Sequence, residues 1–280
     1  MKNEFSHLRP INRRRFLKRS GLALAGMPFW FGVLPESLKA KIPEGIKITE
    51  LKSLIVEDEV YLKVFTDAGV TGEGHTSVHR KAPTCQAAVD DLARVLVGRD
   101  PTRIEFLWQA MYRWPRWRGG PVLNAAISGV DLALWDILGK LLEVPVWRLL
   151  GGAARERIRL YIHGSGKEAV QRAKEAGYTA IKTSPVVADL IDGRRVIKRP
   201  WNLKRAVKVI EEMRAAAGAD FDILIDAHGL LTPTMSLEFA KAIEPLRIMF
   251  LEEPIQIEGN DTLEWLGRHT TVPLATGERH

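Results

Sequence analysis

From residue 155 to residue 280, short apolar segments alternate with amphipathic helical segments, and this rhythm constrains the fold more than any other feature. The helical segments include Lys167–Ala176, Leu203–Ala217 and Met235–Ile243. Neighbouring parallel strands require long crossover connections, which are usually helices, so the alternation predicts a parallel β/α sheet. Five strands are expected, at Ile158–His163, Thr179–Ser184, Asp222–His228, Ile248–Glu253 and Pro273–Glu278.

Five strands are too few for a closed barrel. An eight-stranded β/α barrel takes about 200 residues or more, whereas positions 153–280 number 128. The expected fold of this region is therefore an incomplete (β/α) barrel that stops after its fifth strand.

The region 44–152 has a different order of elements. Between Ile46 and Phe65 the apolar residues are spaced as in strands, and the glycines at 72 and 74 are interpreted as turn residues. Helical spacing follows between Ala82 and Met111, and then in a long helix that begins at Pro121. Strands followed by helices predict an α+β domain.

The first 40 residues are predicted to be an export signal rather than part of the fold. Arg13 and Arg14 precede Arg15-Phe16-Leu17-Lys18, which matches the twin-arginine pattern, and an apolar segment follows from Gly21 to about Leu34. That segment is shorter than the roughly 20 apolar residues that span a bilayer. We therefore expect a twin-arginine signal peptide, the Tat translocon as a partner during export, and a periplasmic protein.

The positive charge of the chain lies almost entirely in this leader. The whole chain has a net charge of +7, but residues 1–40 hold eight basic and two acidic residues, which leaves 33 basic and 32 acidic residues in the rest. A nearly neutral body offers no electrostatic basis for binding a polyanion. Nucleic acid is therefore not an expected partner.

Three acidic residues end three successive predicted strands: Asp226, Glu252 and Glu278. They are separated by 26 residues each, one strand-helix unit, so they should lie at the same height at the carboxyl end of the sheet, where barrels build their sites. Converging carboxylates repel one another unless a cation lies between them, and an all-oxygen ligand set favours Mg²⁺ over Zn²⁺. The spacing predicts one divalent-metal site.

Two further residues belong to the same predicted edge. His228 follows Asp226 by two positions, so on an extended strand both side chains would share a face, and an imidazole there can exchange protons near neutral pH. Lys182 ends the second barrel strand, either as an edge residue whose ammonium reaches solvent or as a carboxylate contact.

Several motifs carry a resemblance to a known family. They are Arg-Gly-Gly-Pro-Val-Leu at 118–123, Ala-Ile-Ser-Gly-Val-Asp-Leu-Ala-Leu-Trp-Asp at 126–136, Leu-Leu-Gly-Gly at 149–152, Asp-Ala-His at 226–228, Leu-Glu-Glu-Pro at 251–254 and Gly-Glu-Arg at 277–279. The chain resembles the enolase superfamily, mandelate racemase subgroup, and within it the galactonate dehydratase-like sugar-acid dehydratases. The resemblance implies an α+β capping domain at 44–152 and an incomplete TIM-type barrel, enolase-like, at 153–280.

The resemblance also implies a chemistry. Asp226, Glu252 and Glu278 correspond to Mg²⁺ ligands, and His228 to the acid that protonates the departing hydroxyl. The implied reaction removes the α-proton of a sugar acid such as galactonate, passes through an enediolate and ends in a 2-keto-3-deoxy acid. Lys182 and His75 are expected to contact this small-molecule substrate. His75 is expected in a loop that follows Gly72 and Gly74.

Alternatives stay open at this point. The family's base lies on the seventh strand, oriented by an aspartate on the sixth, and neither strand is expected in these residues. As part of a longer, homo-oligomeric protein the chain would be a dehydratase; alone it would be an exported remnant or binding protein that turns over no sugar acid. A racemase or cycloisomerase is the rival within the superfamily, although such enzymes usually have Lys-x-Lys where this chain has Lys182-Thr183-Ser184.

Overall fold

A computed structural model describes residues 42–114, 116–192, 194–197, 201–256 and 260–278. The twin-arginine segment predicted at 1–40 lies outside the described residues. The chain divides into two compact units, one that runs up to Arg118 and includes Val122–Leu150, and one that consists of Gly119–Pro121 and Gly151 onward. Each unit is described separately below.

The first unit opens with a three-stranded antiparallel sheet. Strand β1 (Ile48–Val56) pairs with β2 (Glu59–Thr66), which pairs with β3 (Thr71–Thr76), in the order β1-β2-β3. On β2 the buried residues Val60, Leu62 and Val64 alternate with exposed ones, because successive side chains of a strand point to opposite faces. One face of the sheet therefore packs into a hydrophobic core.

Helices supply the other side of that core. They are α1 (Ala82–Leu96), α2 (Ile104–Arg113), α3 (Pro121–Leu142) and the short α4 (Val146–Leu149). The helix α3 is the one described helix long and apolar enough to cross a bilayer. Its buried residues, such as Val130 and Leu134, pack with Leu62 and Leu92 in the core of this unit, which accounts for its apolar composition.

Gly72 and Gly74 do not make turns as the sequence suggested; both lie within β3. A Cβ atom on Gly72 would come within 2.0 Å of the carbonyl oxygen of Ala133, and one on Gly74 within 2.0 Å of that of Gly129. The glycines therefore allow helix α3 to approach the strand backbone closely, which explains why residues typical of turns occupy a strand.

The second unit is built on a parallel sheet, as predicted. Strands β4 (Ile162–His163), β5 (Ala180–Thr183), β8 (Asp222–Asp226), β9 (Phe250–Glu252) and β10 (Leu274–Ala275) lie in the spatial order β10-β9-β8-β5-β4, and each neighbouring pair is parallel. All five predicted strands are present, although each is shorter than expected. The hairpin of β6 (Asp189–Ile191) and β7 (Arg194–Val196) was not predicted.

Helices connect these strands in the predicted order. They are α5 (Lys167–Glu175), α6 (Trp201–Ala217), α7 (Pro233–Ile243), which a 3₁₀ turn (Glu244–Leu246) follows, and α8 (Asn260–His269). Helix α7 begins where Thr232 accepts a hydrogen bond from the backbone N–H of Met235, with Pro233 in its first turn. Ile225, Leu251 and Phe239 are fully buried in the core between sheet and helices. An α+β unit followed by a parallel β/α sheet confirms the predicted fold class.

Candidate metal centre

Two of the three predicted acidic ligands are direct neighbours in the parallel sheet. Asp226 is the last residue of β8 and Glu252 the last of β9, and the two are partners in the register. Register partners of parallel strands point to the same face, so both carboxylates lie at the carboxyl edge of the sheet. Asp226 is 3% exposed, and only 16% of the Glu252 side chain is exposed. The equal spacing therefore predicted the height of this pair correctly.

The third acid, Glu278, reaches the site by a different route. Ala275, not Glu278, is the register partner of Glu252, because β10 ends three residues before Glu278. The intervening Gly277 has a φ of +147°, a conformation that favours glycine. The prediction of equal height is therefore wrong for Glu278, which lies on a turn after the strand.

The three carboxylates nevertheless form one cluster. One oxygen from each of Asp226, Glu252 and Glu278 lies within 4.8 Å of the other two. Two oxygens on opposite sides of Ca²⁺ are at most about 5.2 Å apart, and across Mg²⁺ about 4.2 Å, given their usual bond lengths. Three oxygens cannot all lie opposite one another, and when they are equally spaced around one ion they are at most about 4.5 Å apart for Ca²⁺ and about 3.6 Å for Mg²⁺. The cluster therefore reaches the width of a Ca²⁺ site by a contraction of at most about 0.3 Å, and of a Mg²⁺ site by at most about 1.2 Å.

Lys182 is the cation in contact with this cluster. It lies on β5, beside β8, and its ammonium Nζ donates to both carboxylate oxygens of Glu252, at 2.9 and 2.8 Å. The same Nζ lies 3.2 Å from Oδ2 of Asp226. Of the two sequence interpretations of this lysine, the structure shows the carboxylate contact.

The environment of Lys182 keeps it charged. Burial alone would lower its pKa, but the hydrogen bonds and charges of Glu252 and Asp226 outweigh burial, so the pKa lies above the ordinary value of 10.5. The ammonium is therefore fully protonated near neutral pH. A site that holds this positive charge between two carboxylates is one that attracts cations.

His228 lies next to Asp226, but not through an extended strand. Strand β8 ends at Asp226, and His228 adopts a left-handed backbone conformation with a φ of +53°. Its backbone N–H donates to Oδ1 of Asp226 at 3.0 Å, and its Nε2 lies 3.4 Å from Oδ2 of the same carboxylate. The expected proximity is present, while the reason given for it was wrong. The side chain is 44% exposed, so its ring can meet a ligand at the sheet edge.

Comparisons with known proteins decide the family. Residues 41–151 match the model of the mandelate racemase / muconate lactonizing enzyme N-terminal domain, and residues 165–280 match the enolase C-terminal domain-like model. A provisionally named dehydratase from Salmonella Typhimurium is 35% identical with a TM-score of 0.79, and the match covers 84% of this chain and 69% of that one. The chain belongs to the enolase superfamily.

Two further superfamily structures are similar to this chain. An enolase from Pantoea ananatis with bound D-gluconate and Mg is 32% identical with a TM-score of 0.74, and the match covers 83% of this chain and 66% of that one. The 3,6-anhydro-D-galactonate cycloisomerase from Zobellia galactanivorans is 30% identical with a TM-score of 0.72, covering 84% and 66%. The chain thus spans about two thirds of the length of these enolase-superfamily neighbours.

His75, a predicted substrate contact, lies in the first unit of this enolase-superfamily chain. It is on β3 rather than in a loop, its Nε2 lies 2.8 Å from Oε2 of Glu59, and its ring lies 4.9 Å from that of Tyr61. These contacts are made across neighbouring strands of the same sheet. A role for His75 toward substrate stays a prediction.

One residue at the sheet edge was missed by sequence reasoning. Glu253 directly follows Glu252 and was interpreted only as part of the Leu-Glu-Glu-Pro motif, yet it is 1% exposed. A charged residue in the apolar segment 248–255 is a sequence signal that could have singled it out, because carboxylates are rarely buried without partners.

Proposed function

We propose that this chain supplies the metal site and the proton donor of a Mg²⁺-dependent sugar-acid dehydratase. The observation that carries the proposal is the convergence of Asp226, Glu252 and Glu278, with His228 beside Asp226. Three oxygens from acidic side chains are the donor set of a hard divalent cation, and an imidazole near neutral pH can act as a general acid.

Each group has a distinct part in the proposed chemistry. The three carboxylates would hold Mg²⁺, which when bound acts as a Lewis acid toward the carboxylate of the substrate and so makes the adjacent carbon acid easier to deprotonate. His228, on the exposed side of Asp226, would hold a proton on its ring and give it to the β-hydroxyl that leaves. Lys182 contacts Glu252 and Asp226 through its ammonium, so it would offset part of their charge and compete with a cation for their oxygens.

The comparisons support the substrate class. The Pantoea ananatis protein has D-gluconate and Mg bound, and another neighbour, from Agrobacterium radiobacter, is named for galactarate dehydration and has Na and L-malate bound. The two bound ligands, D-gluconate and L-malate, are both hydroxy acids, and each structure also contains a metal ion. We propose an aldonate or aldarate as the substrate of this protein.

The function is tested in two steps, because the family's base is placed on a later strand. First, purified chain is titrated with Mg²⁺ alone and then with galactonate, gluconate and galactarate in its presence. Second, the chain is fused to the sixth to eighth barrel strands of the Pantoea ananatis enolase, and the formation of 2-keto-3-deoxy acid is measured. We expect Mg²⁺ binding in the first step and product in the second that disappears with EDTA. Binding of metal and acid without any product from the fusion would favour the non-catalytic binding protein instead.

A cycloisomerase is the second candidate, favoured by the similarity to the Zobellia galactanivorans enzyme. The same fusion separates the two reactions by substrate when galactonate and 3,6-anhydro-D-galactonate are supplied in separate assays. Loss of water from the open-chain acid and opening of the anhydro ring at C3 both lead to a 2-keto-3-deoxy acid, so the substrate that is consumed identifies the activity. Ser184, whose Oγ lies 3.4 Å from Nε2 of His163, has no amine with which to take up a proton, unlike the second lysine of a Lys-x-Lys pair. This argues for the dehydratase.

We also propose export through the twin-arginine route to the periplasm, supported by Arg13-Arg14-Arg15-Phe16-Leu17-Lys18. The variant Arg13→Lys/Arg14→Lys is expected to stay in the cytoplasm as precursor, because the motif depends on the arginine pair. Cell fractionation and immunoblotting measure this, with Arg9→Lys as the matched control outside the motif. Export of the double variant at the wild-type level would exclude this route.

A further inference from the structure

Glu253 joins the turns that follow three neighbouring strands. Its carboxylate Oε1 accepts from the backbone N–H of Gly277 at 3.0 Å and from Oγ1 of Thr276 at 3.1 Å, both after β10. Its own backbone N–H donates to the carbonyl of Ala275 at 2.9 Å, and its carbonyl accepts from the N–H of Gly229 at 2.8 Å, after β8. Glu253, the buried residue directly after β9, is thus hydrogen-bonded both to the turn that contains His228 and to the turn that precedes Glu278.

The backbone at this position supports a specific role. Glu253 has a φ of +43°, a left-handed conformation that is unfavourable for a non-glycine residue and persists only where the surroundings hold it. His228, after the neighbouring strand, is left-handed too. Of the seven described non-glycine residues with positive φ, these two follow the predicted metal ligands Glu252 and Asp226 by one and two residues.

Glu278 depends on this arrangement more than the other two acids. Asp226 and Glu252 end regular strands and are held by the sheet register. Glu278 is exposed and lies one residue after Gly277, a residue type with wide conformational freedom. The bonds from Thr276 and Gly277 to Glu253 fix the turn that carries it.

We propose that Glu253 is a positioning residue that fixes the turn at 276–277 and thereby places Glu278 within the carboxylate cluster. It acts through the turn backbone, as a carboxylate that accepts charge-assisted hydrogen bonds, which are stronger than neutral ones. This inference rests on the proposed metal site. It assigns to the second glutamate of Leu251-Glu252-Glu253-Pro254 a function distinct from that of the first.

The test measures divalent-metal affinity and stability separately, on the 280-residue chain, with Mn²⁺ as the probe. Free Mn²⁺ is followed by electron paramagnetic resonance during titration, and thermal unfolding is followed by circular dichroism in EDTA. Glu253→Ala keeps a non-glycine residue at the left-handed position and removes both acceptor bonds. We expect it to weaken Mn²⁺ binding about 10–100-fold, the usual effect of losing an outer partner of a metal ligand.

Two conservative variants separate positioning from folding. Glu253→Gln keeps an oxygen acceptor for the Gly277 N–H and is expected to bind Mn²⁺ within about fivefold of wild type, because a neutral hydrogen bond is weaker than a charge-assisted one but is not lost. Thr276→Val removes the hydroxyl bond to Glu253 and leaves the Gly277 bond in place, so its Mn²⁺ affinity is expected to lie between those of wild type and Glu253→Ala. Either variant reports on positioning if Glu253→Ala does not fold.

Glu244 supplies a matched control, because it anchors the turn at the amino end of β10. Its carboxylate accepts from the backbone N–H of Thr271 at 2.9 Å and from Oγ1 of Thr270 at 3.3 Å, so it anchors the turn before β10 as Glu253 anchors the turn after it. Glu244→Ala is expected to lower the unfolding temperature without changing Mn²⁺ affinity.

The outcomes distinguish the inference from the proposed function. Weak binding by Glu253→Ala, with rescue by glutamine and no effect of Glu244→Ala, supports the positioning role. If wild type binds Mn²⁺ and Glu253→Ala binds it equally well, the positioning role is wrong while the metal site stands. If wild type binds no Mn²⁺ even at millimolar concentration, both are wrong.

Discussion

Replacement of His228 by asparagine, in the fusion that completes the barrel, is expected to abolish dehydration while exchange of the substrate α-proton with solvent deuterium continues. Loss of a positioned general acid lowers a rate by roughly 10²–10⁴-fold. The carboxylates Asp226, Glu252 and Glu278 and the base on the later strand are unchanged, so the carbon acid can still lose and regain its proton. The His228→Asn variant would thus carry out α-proton exchange without the loss of the β-hydroxyl that normally follows it.

The measurement follows both steps in one sample. Incubation of an aldonate in D₂O is monitored by proton NMR, in which loss of the α-proton signal reports exchange and a keto-deoxy methylene signal reports dehydration. Asparagine preserves a hydrogen-bonding group near Asp226, whose Oδ1 accepts from the backbone N–H of His228 rather than from its ring, so that bond survives. The turn should therefore keep its shape.

His269→Asn is the control for a histidine change as such. His269 ends α8, where its Nδ1 lies 2.7 Å from the carbonyl oxygen of Trp265, and α8 leads into the amino end of β10, opposite the carboxylate edge. This variant is expected to dehydrate at the wild-type rate. If His228→Asn retained dehydration, the proton donor would have to be another group; if it lost exchange as well, His228 would have to act before the hydroxyl leaves.

The carboxylate pair could be predicted from sequence because the sheet imposes its geometry. Asp226 and Glu252 each end a buried strand, and parallel register brings such positions together whatever the connecting helix does. Glu278 is 26 residues further along, yet β10 ends early and the remaining distance is covered by a turn. Its arrival at the cluster depends on hydrogen bonds to Glu253, which spacing alone does not reveal.

Glycines and histidines were harder to interpret for a related reason. Gly72 and Gly74 are typical of turns, but here their missing side chains matter because helix α3 packs on the strand, a tertiary contact that local pattern does not contain. The error carried over to His75, which was expected in a loop and lies on β3. For His228 the local backbone is left-handed because the chain turns after Asp226, and period-two reasoning does not apply beyond a strand end.

Lys182→Met is expected to destabilise the protein in EDTA and to tighten its binding of Mg²⁺. Nζ of Lys182 lies 2.8–3.2 Å from oxygens of Glu252 and Asp226. Removal of one partner from a fully buried ion pair lowers the free energy of unfolding by about 3–5 kcal/mol. Because 17% of the Lys182 side chain is exposed and solvent screens the pair, we expect a smaller loss of about 1–3 kcal/mol. Methionine fills a similar volume without the charge.

The sign of the metal effect follows from competition for the same oxygens. In wild type the ammonium contacts two of the three carboxylates and offsets one of their negative charges, so a divalent cation has to share their lone pairs with it. In the methionine variant the repulsion between the carboxylates is uncompensated until a cation binds. Mg²⁺ at about 100 times its dissociation constant would return about 2.7 kcal/mol of stability, enough to restore most of the loss.

Urea unfolding in EDTA and in Mg²⁺ measures both effects, with Lys174→Met as the control. Lys174 Nζ donates to the carbonyl oxygens of Ala216 and Ala217 at the end of α6. Lys174→Met therefore breaks hydrogen bonds to neutral partners and leaves the carboxylate cluster unchanged. That variant should be destabilised equally with and without Mg²⁺. A Lys182→Met protein destabilised equally in both conditions would show that Lys182 does not compete with Mg²⁺ for the carboxylates, whereas selective recovery in Mg²⁺ would show that the ion and the ammonium occupy overlapping positions.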